Sequence, residues 1–361
     1  MYPRIDDRGD MVVVDLGREY KVASTAVNGG LKWARYILVK TVEKDFNLDD
    51  YDAYTRNLLK SSNLPSQTIV MLTAVDVAKR IVEEGDHTWV LATVGLTNPA
   101  CTEMEELYKA PPSSTINLIV VSLHPLTDQA LLDLLRVAAE AKAAAVSDIL
   151  PWCTSRPIGT SSDAITVASP PGGGGLAWSG LATIHGNEAA RLVWRAVIKG
   201  DDRSLEERIK GVLGVGIDEL VEDAVRLYKE APVPGTSPEE AERMLRRELA
   251  KVLRDPNLWT LLIAAREADL HARAGSIPGL SREEYLSDTR GLIADEILAA
   301  GAALYLQGWK GLMATYWVDR TKDAKRLSIA SLPGLLDDMA AALIGSTLSR
   351  IYDKLLQGWE H

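Results

Sequence analysis

The chain has 361 residues, 47% apolar and 25% charged, with 40 Lys+Arg against 50 Asp+Glu and a net charge of −10. This is the composition of an ordinary folded protein, which excludes disordered and collagen-like classes. The acidic surplus, shared by both halves, excludes a nucleic-acid partner but not a small anionic substrate.

The length predicts two domains. The N-terminal stretch MYPRIDDRGDMVVV lacks the apolar core of a signal peptide, and no run of about 18 uncharged apolar residues occurs, so a cytoplasmic chain without a membrane span is expected. Two cysteines, Cys101 and Cys153, are too few for a disulfide framework or a thiolate metal site and fit a reducing cytosol.

In chain order, residues 11–17, 36–42, 68–74, 88–96 and 115–123 are short, apolar and rich in β-branched residues, and read as strands. Turn signals at Asn28-Gly29-Gly30, Gly85-Asp86 and Pro111-Pro112-Ser113-Ser114 separate them. A long Ala-rich helix follows, capped by Thr127 and burying Leu131, Leu134, Leu135 and Ala138. A strand at 164–169, the loop PPGGGG and a helix stopping at Gly200 complete this half. Beyond Gly200 the period changes from 2 to 3.6, with helices near 204–212, 216–229, 237–253, 256–274, 281–288, 290–307 and 333–356. Ser237 and Glu240 have the spacing of a capping box. The fold class is therefore an α/β (or α+β) domain with a central sheet over 1–200, then an all-α multihelical domain over 201–361.

Polar residues gather where strands of the first half begin or end: Thr97 and Asn98 after one, and Gly159, Thr160, Ser162 and Asp163 before another. Strand ends are common ligand sites, and the same residue types serve ordinary turns. There is no G-x-S-x-G elbow, no H-E-x-x-H and no P-loop, and the five histidines show no metal-ligand spacing.

In the second half, Ile293, Ile297, Ala300 and Leu304 mark an expected apolar helix face interrupted by Asp295 and Glu296. Asp337 and Asp338 stand beside Leu336 and Met339, and Asp319 and Lys322 lie between the two helices. Carboxylates on largely uncharged helices call for a cation, and hard oxygen ligands with a nearby Lys suit Mg²⁺ and a phosphate. Adjacent acids at a helix start also serve simply as partners of the helix dipole.

The segment LGVGIDEL (213–220), the ADE helix, VDRTK and PGLLDD resemble the phosphatidylglycerophosphatase A superfamily, closest to its soluble branch of α-ribazole phosphatases. That resemblance implies a multihelical, metal-dependent phosphomonoesterase, with Asp295, Glu296, Asp319, Asp337 and Asp338 at a divalent metal (Mg²⁺) and Lys322 on the phosphate. In the first half, MLTAVDV, TVGLTNPAC, INLIVVSLHPLTDQALLDLLRVAAEAKAAAVSD and IGTSSDAITVA resemble the adenosylcobinamide amidohydrolase family. This implies hydrolysis of the amide joining aminopropanol to the corrin, giving adenosylcobyric acid. It makes Asn98, Glu140, Lys142 and Asp163 candidate catalytic residues and Thr97, Gly159, Thr160, Ser162, Thr183 and Gly186 candidate substrate contacts. His185 falls at a variable position and is not taken as the base. Glu140 and Lys142, two apart on a helix, must face different ways. Together the two halves resemble a bifunctional archaeal enzyme of cobamide (vitamin B12) salvage. Its partners would be adenosylcobinamide, α-ribazole 5'-phosphate and, through Ala-rich helices with exposed Trp, a second copy of itself. The alternative is a phosphatase for another soluble or lipid phosphate, with a first half that binds corrinoid without turnover.

Overall fold

The computed structural model describes residues 2–46, 50–104, 114–287 and 292–357. The chain divides into two compact units, Met1–Asp202 and Arg203–His361.

The first unit contains β1 (Arg4–Asp7), β2 (Met11–Ser24), β3 (Gly30–Thr41), α1 (Tyr51–Ser61), β4 (Ile69–Thr73), β5 (Ile81–Glu84), β6 (Thr88–Val94), β7 (Pro99–Cys101), β8 (Ile116–Ser122), α2 (Asp128–Ile149), β9 (Pro157–Thr160), β10 (Ala164–Ser169) and α3 (Ile184–Lys199). The main sheet runs β4-β3-β2-β10-β8-β6-β5, with β1 beside β2. The pairs β10–β8 and β3–β4 are parallel and the others antiparallel. Alternation assigns the two faces. Val90, Ala92, Leu118 and Val120 point toward α2 and α3, where they meet Leu131, Leu134, Ala138, Leu192 and Val193. Trp89, Leu91, Ile119 and Val121 point the other way, against Val12, Val14, Ile37, Ile69 and Met71. The sheet is thus curled, so its β4 edge reaches across to β8, where Asn117 Nδ2 donates to the Leu72 carbonyl at 2.8 Å. Both faces of β6 and β8 are buried, which is why those segments read as unbroken apolar runs.

Thr127 caps α2 by accepting from Ala130 N at 3.2 Å, and Gly200 ends α3. The short strands β1, β5, β7 and β9 and helix α1 carry too few apolar residues to show a period, and sequence reading passed over them. The turn signal at 111–113 lies outside the described residues. The expectation of two reduced cysteines is corrected: Cys101 and Cys153 form a disulfide. Antiparallel pairing of β7 with β9 is the physical reason, since it sets Cys101 opposite Pro157 and brings the Cys153 Cα within 5.7 Å.

The second unit contains α4 (Leu205–Leu213), α5 (Ile217–Tyr228), α6 (Pro238–Val252), α7 (Pro256–Arg273), α8 (Arg282–Leu286), α9 (Ala294–Thr321) and α10 (Gly334–Gln357). Ser237 caps α6 through Glu240 N, with Pro238 at the first helical position. Helix α9 runs 14 residues beyond the expected end at 307 and is broken at Gly308, whose φ is 62°. Leu336, Met339, Leu343 and Leu348 form the expected buried stripe of α10. The expected apolar face of α9 needs correction: Ile293, Ile297 and Leu304 are 61%, 62% and 42% exposed, while Ala299, Ala302 and Ala303 are buried. Small residues win because α9 and α10 cross closely. Beyond the break at Gly308 the approach is closest: a Cβ on Gly345 would stand 2.6 Å from the Thr315 backbone nitrogen, and one on Gly311 would stand 3.1 Å from Ser346 Oγ. Among the described residues, no helix is long and apolar enough to cross a membrane.

Candidate functional site

The candidate residues of the first unit fall at opposite ends of β8. At its start, β7 pairs with β9, setting Pro99 opposite Thr160, and this ribbon brings Thr97 and Asn98 beside Gly159, Thr160, Ser162 and Asp163. Asp163 anchors the cluster. Its carboxylate accepts from Ile116 N at 2.9 Å, Thr160 N at 3.0 Å, the Thr160 hydroxyl and the Lys142 ammonium. The Lys142 and Asp163 side chains are only 13% and 9% exposed, so the pair is nearly dry. Gly159 lies flat on this pair, where a Cβ would run into both partners. Ser162 Oγ lies 2.6 Å from Thr115 Oγ1 and donates to the Ser114 carbonyl, while Thr97 N donates to Ser114 Oγ at 2.9 Å. A cavity of about 140 Å³ opens here, lined in part by Thr73, Thr115, Ser162 and Asp163. Glu140 is elsewhere, on the exposed face of α2, paired with Arg136 at 2.6 Å. The chain therefore separates Glu140 from Lys142, as their spacing requires.

At the other end of β8 the structure gathers residues that sequence reasoning did not combine. Thr88 pairs with Ser122 across β6 and β8, which places His87 beside the turn carrying His124. His87 Nδ1 and His124 Nε2 are 3.1 Å apart, and Leu123 N donates to the His87 carbonyl at 2.9 Å. His185, in the first turn of α3, closes the trio, its ring centroid 4.5 Å from that of His87 and 4.9 Å from that of His124. Ligand atoms of all three lie within 4.8 Å of one another. Burial, then the neighbouring His87 and His124, hold the His185 imidazole below its ordinary value. No local spacing could reveal this group, because each histidine sits alone at the end of a different element. The available signal was their common position at strand and helix ends.

Thr183 and Gly186 build the loop that delivers His185. Thr183 caps α3 by accepting from Gly186 N at 3.0 Å and donates its hydroxyl to the Gly180 carbonyl at 2.8 Å. Gly186 packs so tightly on the Ser179 and Gly180 carbonyls that a Cβ would overlap them. The buried Glu188 accepts from Asp86 N and His87 N at 3.0 and 2.7 Å, fixing the backbone on which His87 stands. A cavity of about 420 Å³ opens beside the trio, lined by residues that include His87, Leu181, Thr183, Ile184, Glu188 and Arg191. Leu181 and Ile184 are 47% and 72% exposed at its rim.

In the second unit, oxygens of Asp295, Glu296 and Asp338 lie within 4.8 Å of one another. The Lys322 ammonium binds Asp319 at 2.6 Å and Asp337, and stands 3.6 Å from Asp338. All six residues marked in the sequence thus belong to one cluster at the starts of α9 and α10 and the end of α9. Burial raises Asp337 to about 6 despite Lys322 beside it. Burial and then the Asp337 charge raise Asp338 to about 8, and burial with the adjacent Glu296 raises Asp295 to about 7. One ammonium among five carboxylates leaves charge that only a further cation or protons can balance, and the oxygen-only donor set fits a hard divalent ion.

The first unit thus carries two polar clefts at opposite ends of one strand, and the second carries a carboxylate cluster. The family model for adenosylcobinamide amidohydrolase matches residues 2–208, and the chain belongs to that family. This first part is accordingly an amide-bond hydrolase. An adenosylcobinamide amidohydrolase of Halobacterium salinarum is 34% identical over 183 residues, which cover 48% of this chain and 77% of that protein. One of Methanosarcina mazei is 29% identical over 199 residues, covering 53% of this chain and 92% of the relative. Among solved structures, the low temperature requirement C protein of Listeria monocytogenes aligns at 21% identity and a TM-score of 0.34, over 43% of this chain and 98% of that one.

Proposed function

We propose that the chain is a bifunctional enzyme of cobamide salvage. The first unit cleaves adenosylcobinamide to adenosylcobyric acid and aminopropanol. The second removes phosphate from α-ribazole 5'-phosphate with a divalent metal. The amidohydrolase half rests on family membership. The phosphatase half rests on one observation: five carboxylates scattered over 44 positions of sequence converge, Asp295 and Glu296 on Asp338, and Asp319, Asp337 and Asp338 on Lys322.

In the first unit, the wide cleft beside the histidines, with Leu181 and Ile184 at its rim, suits a broad corrin whose edge carries amides. The Asp163–Lys142 pair anchors the loop at the other end of β8. In the second unit, Asp295, Glu296 and Asp338 would hold a Mg²⁺, which supplies charge neutralisation at the phosphoryl oxygens when bound. Asp319 and Asp337 aim the Lys322 ammonium, and that ammonium contacts a phosphoryl oxygen.

The test uses the full chain with both substrates. D295N or D338N is expected to abolish phosphate release from α-ribazole 5'-phosphate while aminopropanol release continues. Equal loss of both reactions in a folded variant overturns the two-site reading. A preference for a detergent-dispersed lipid phosphate over α-ribazole 5'-phosphate overturns the substrate assignment.

A further inference from the structure

We propose that His87, His124 and His185 form a site for a divalent transition metal, and that this metal activates the water of the amidohydrolase reaction. The second clause rests on the amidohydrolase reading of the first unit; the first does not.

Four observations carry the proposal. Three imidazoles from three separate elements converge, with one candidate ligand atom from each within 4.8 Å of the others. The His87 Nδ1 to His124 Nε2 separation is 3.1 Å. Two nitrogens at about 2.1 Å from a tetrahedral ion stand roughly 3.4 Å apart, so the rings need move only slightly to share one. His185 Nε2 is buried and has no hydrogen-bond partner among the described residues. An imidazole nitrogen left so in a site packed with other imidazoles is costly unless something else occupies its lone pair. Finally, the supporting bonds fix backbone on each of the three elements: Glu188 on the amides of Asp86 and His87, Ser122 Oγ on the carbonyl of His124, and the Thr183 cap on the turn bearing His185.

Imidazole donors select zinc-like and other transition ions over Mg²⁺. Three protein ligands leave a fourth position, and the 420 Å³ cavity lined by His87 gives water and substrate a way to it. The reaction there is balanced without a further reactant. A water oxygen bonds to the amide carbonyl carbon and the C–N bond breaks. The carboxylate stays on the corrin, and aminopropanol leaves as its ammonium form, with both protons of the water on its nitrogen. The metal polarises the attacking water, whose pKa a bound Zn²⁺ brings down to about 7.

The experiment strips the full chain with EDTA and titrates it with Co²⁺, read by visible absorption, and with Zn²⁺, read by equilibrium dialysis. The wild type is expected to show intense low-coordinate Co²⁺ bands. Oxygen-only coordination at the second-unit carboxylates gives weak bands and so does not confuse the signal. H124A and H185A should each lose the bands, with affinity falling more than the roughly 10–100-fold typical of losing an outer-shell partner. Circular dichroism checks their folding. If a variant does not fold, Zn²⁺ protection of the three histidines from diethyl pyrocarbonate in the wild type, read by peptide mass, makes the same test. Absence of bands in the wild type, or bands that survive both substitutions, overturns the site. Bands that depend on the trio, with aminopropanol release unchanged by metal removal, overturn water activation and leave the amidohydrolase reading intact. Bands that depend on the trio, with no release from adenosylcobinamide in any metal form, overturn both water activation at the trio and that reading while the metal site stands.

Discussion

The carboxylate cluster makes the folded chain's stability depend on pH in a direction opposite to the usual acid-labile protein. Asp337 is the clearest group. It is 9% exposed, and burial lifts it from 3.8 to about 6 even with Lys322 in contact. The folded state then binds a proton more tightly than the unfolded chain does, so stability falls as pH rises. The contribution is fully present below about pH 4 and is lost as pH passes through about 6. The whole shift corresponds to about 3 kcal/mol, of which about 1.4 kcal/mol falls between roughly pH 5 and pH 8. The assay is urea unfolding of the EDTA-treated chain at those two pH values, for wild type and D337N. Asparagine cannot ionise, and Lys322 keeps Asp319 and Asp338. The wild type should lose at least about 1.4 kcal/mol more than D337N over this interval, because removing the Asp337 charge also relaxes Asp338, and adding Mg²⁺ at the higher pH should return most of it. If the two chains show the same pH dependence, or if Mg²⁺ leaves the wild-type midpoint unmoved, the account of a charge-frustrated cluster awaiting a cation is wrong.

Two further outcomes follow from the first unit. Substituting Asp163 by Ala leaves Lys142 buried with no carboxylate and two backbone amides without acceptors, at a cost of roughly 3–5 kcal/mol in denaturant unfolding; a change under about 1 kcal/mol would show that the pair is not an anchor. The Cys101–Cys153 bond closes a loop of sequence separation 52, for which chain entropy gives about 4 kcal/mol, so C101S or full reduction should lower stability by a comparable amount, and an unchanged midpoint would refute it.

Much of this molecule is local, and local features are legible in one dimension. The strands at 69–73, 88–94, 116–122 and 164–169 are apolar runs bounded by turns, because both faces of the sheet's centre are buried. Helices α4 to α7 and α10 announce themselves by the 3.6-residue period, and α6 also by its Ser237 cap. Asp295, Glu296, Asp337 and Asp338 were marked by a plain contradiction, acids on largely uncharged helices, while Asp319 and Lys322 were marked by the family resemblance of the segment between them. Tertiary structure decided what periodicity does not encode. It turned α9 so that Ala299, Ala302 and Ala303 are buried while Ile293 and Ile297 face outward. It paired β7 with β9 and so joined two cysteines 52 residues apart. It also gathered His87, His124 and His185, since an antiparallel register and a helix cap, both set by distant contacts, determine where a lone histidine at the end of an element will point.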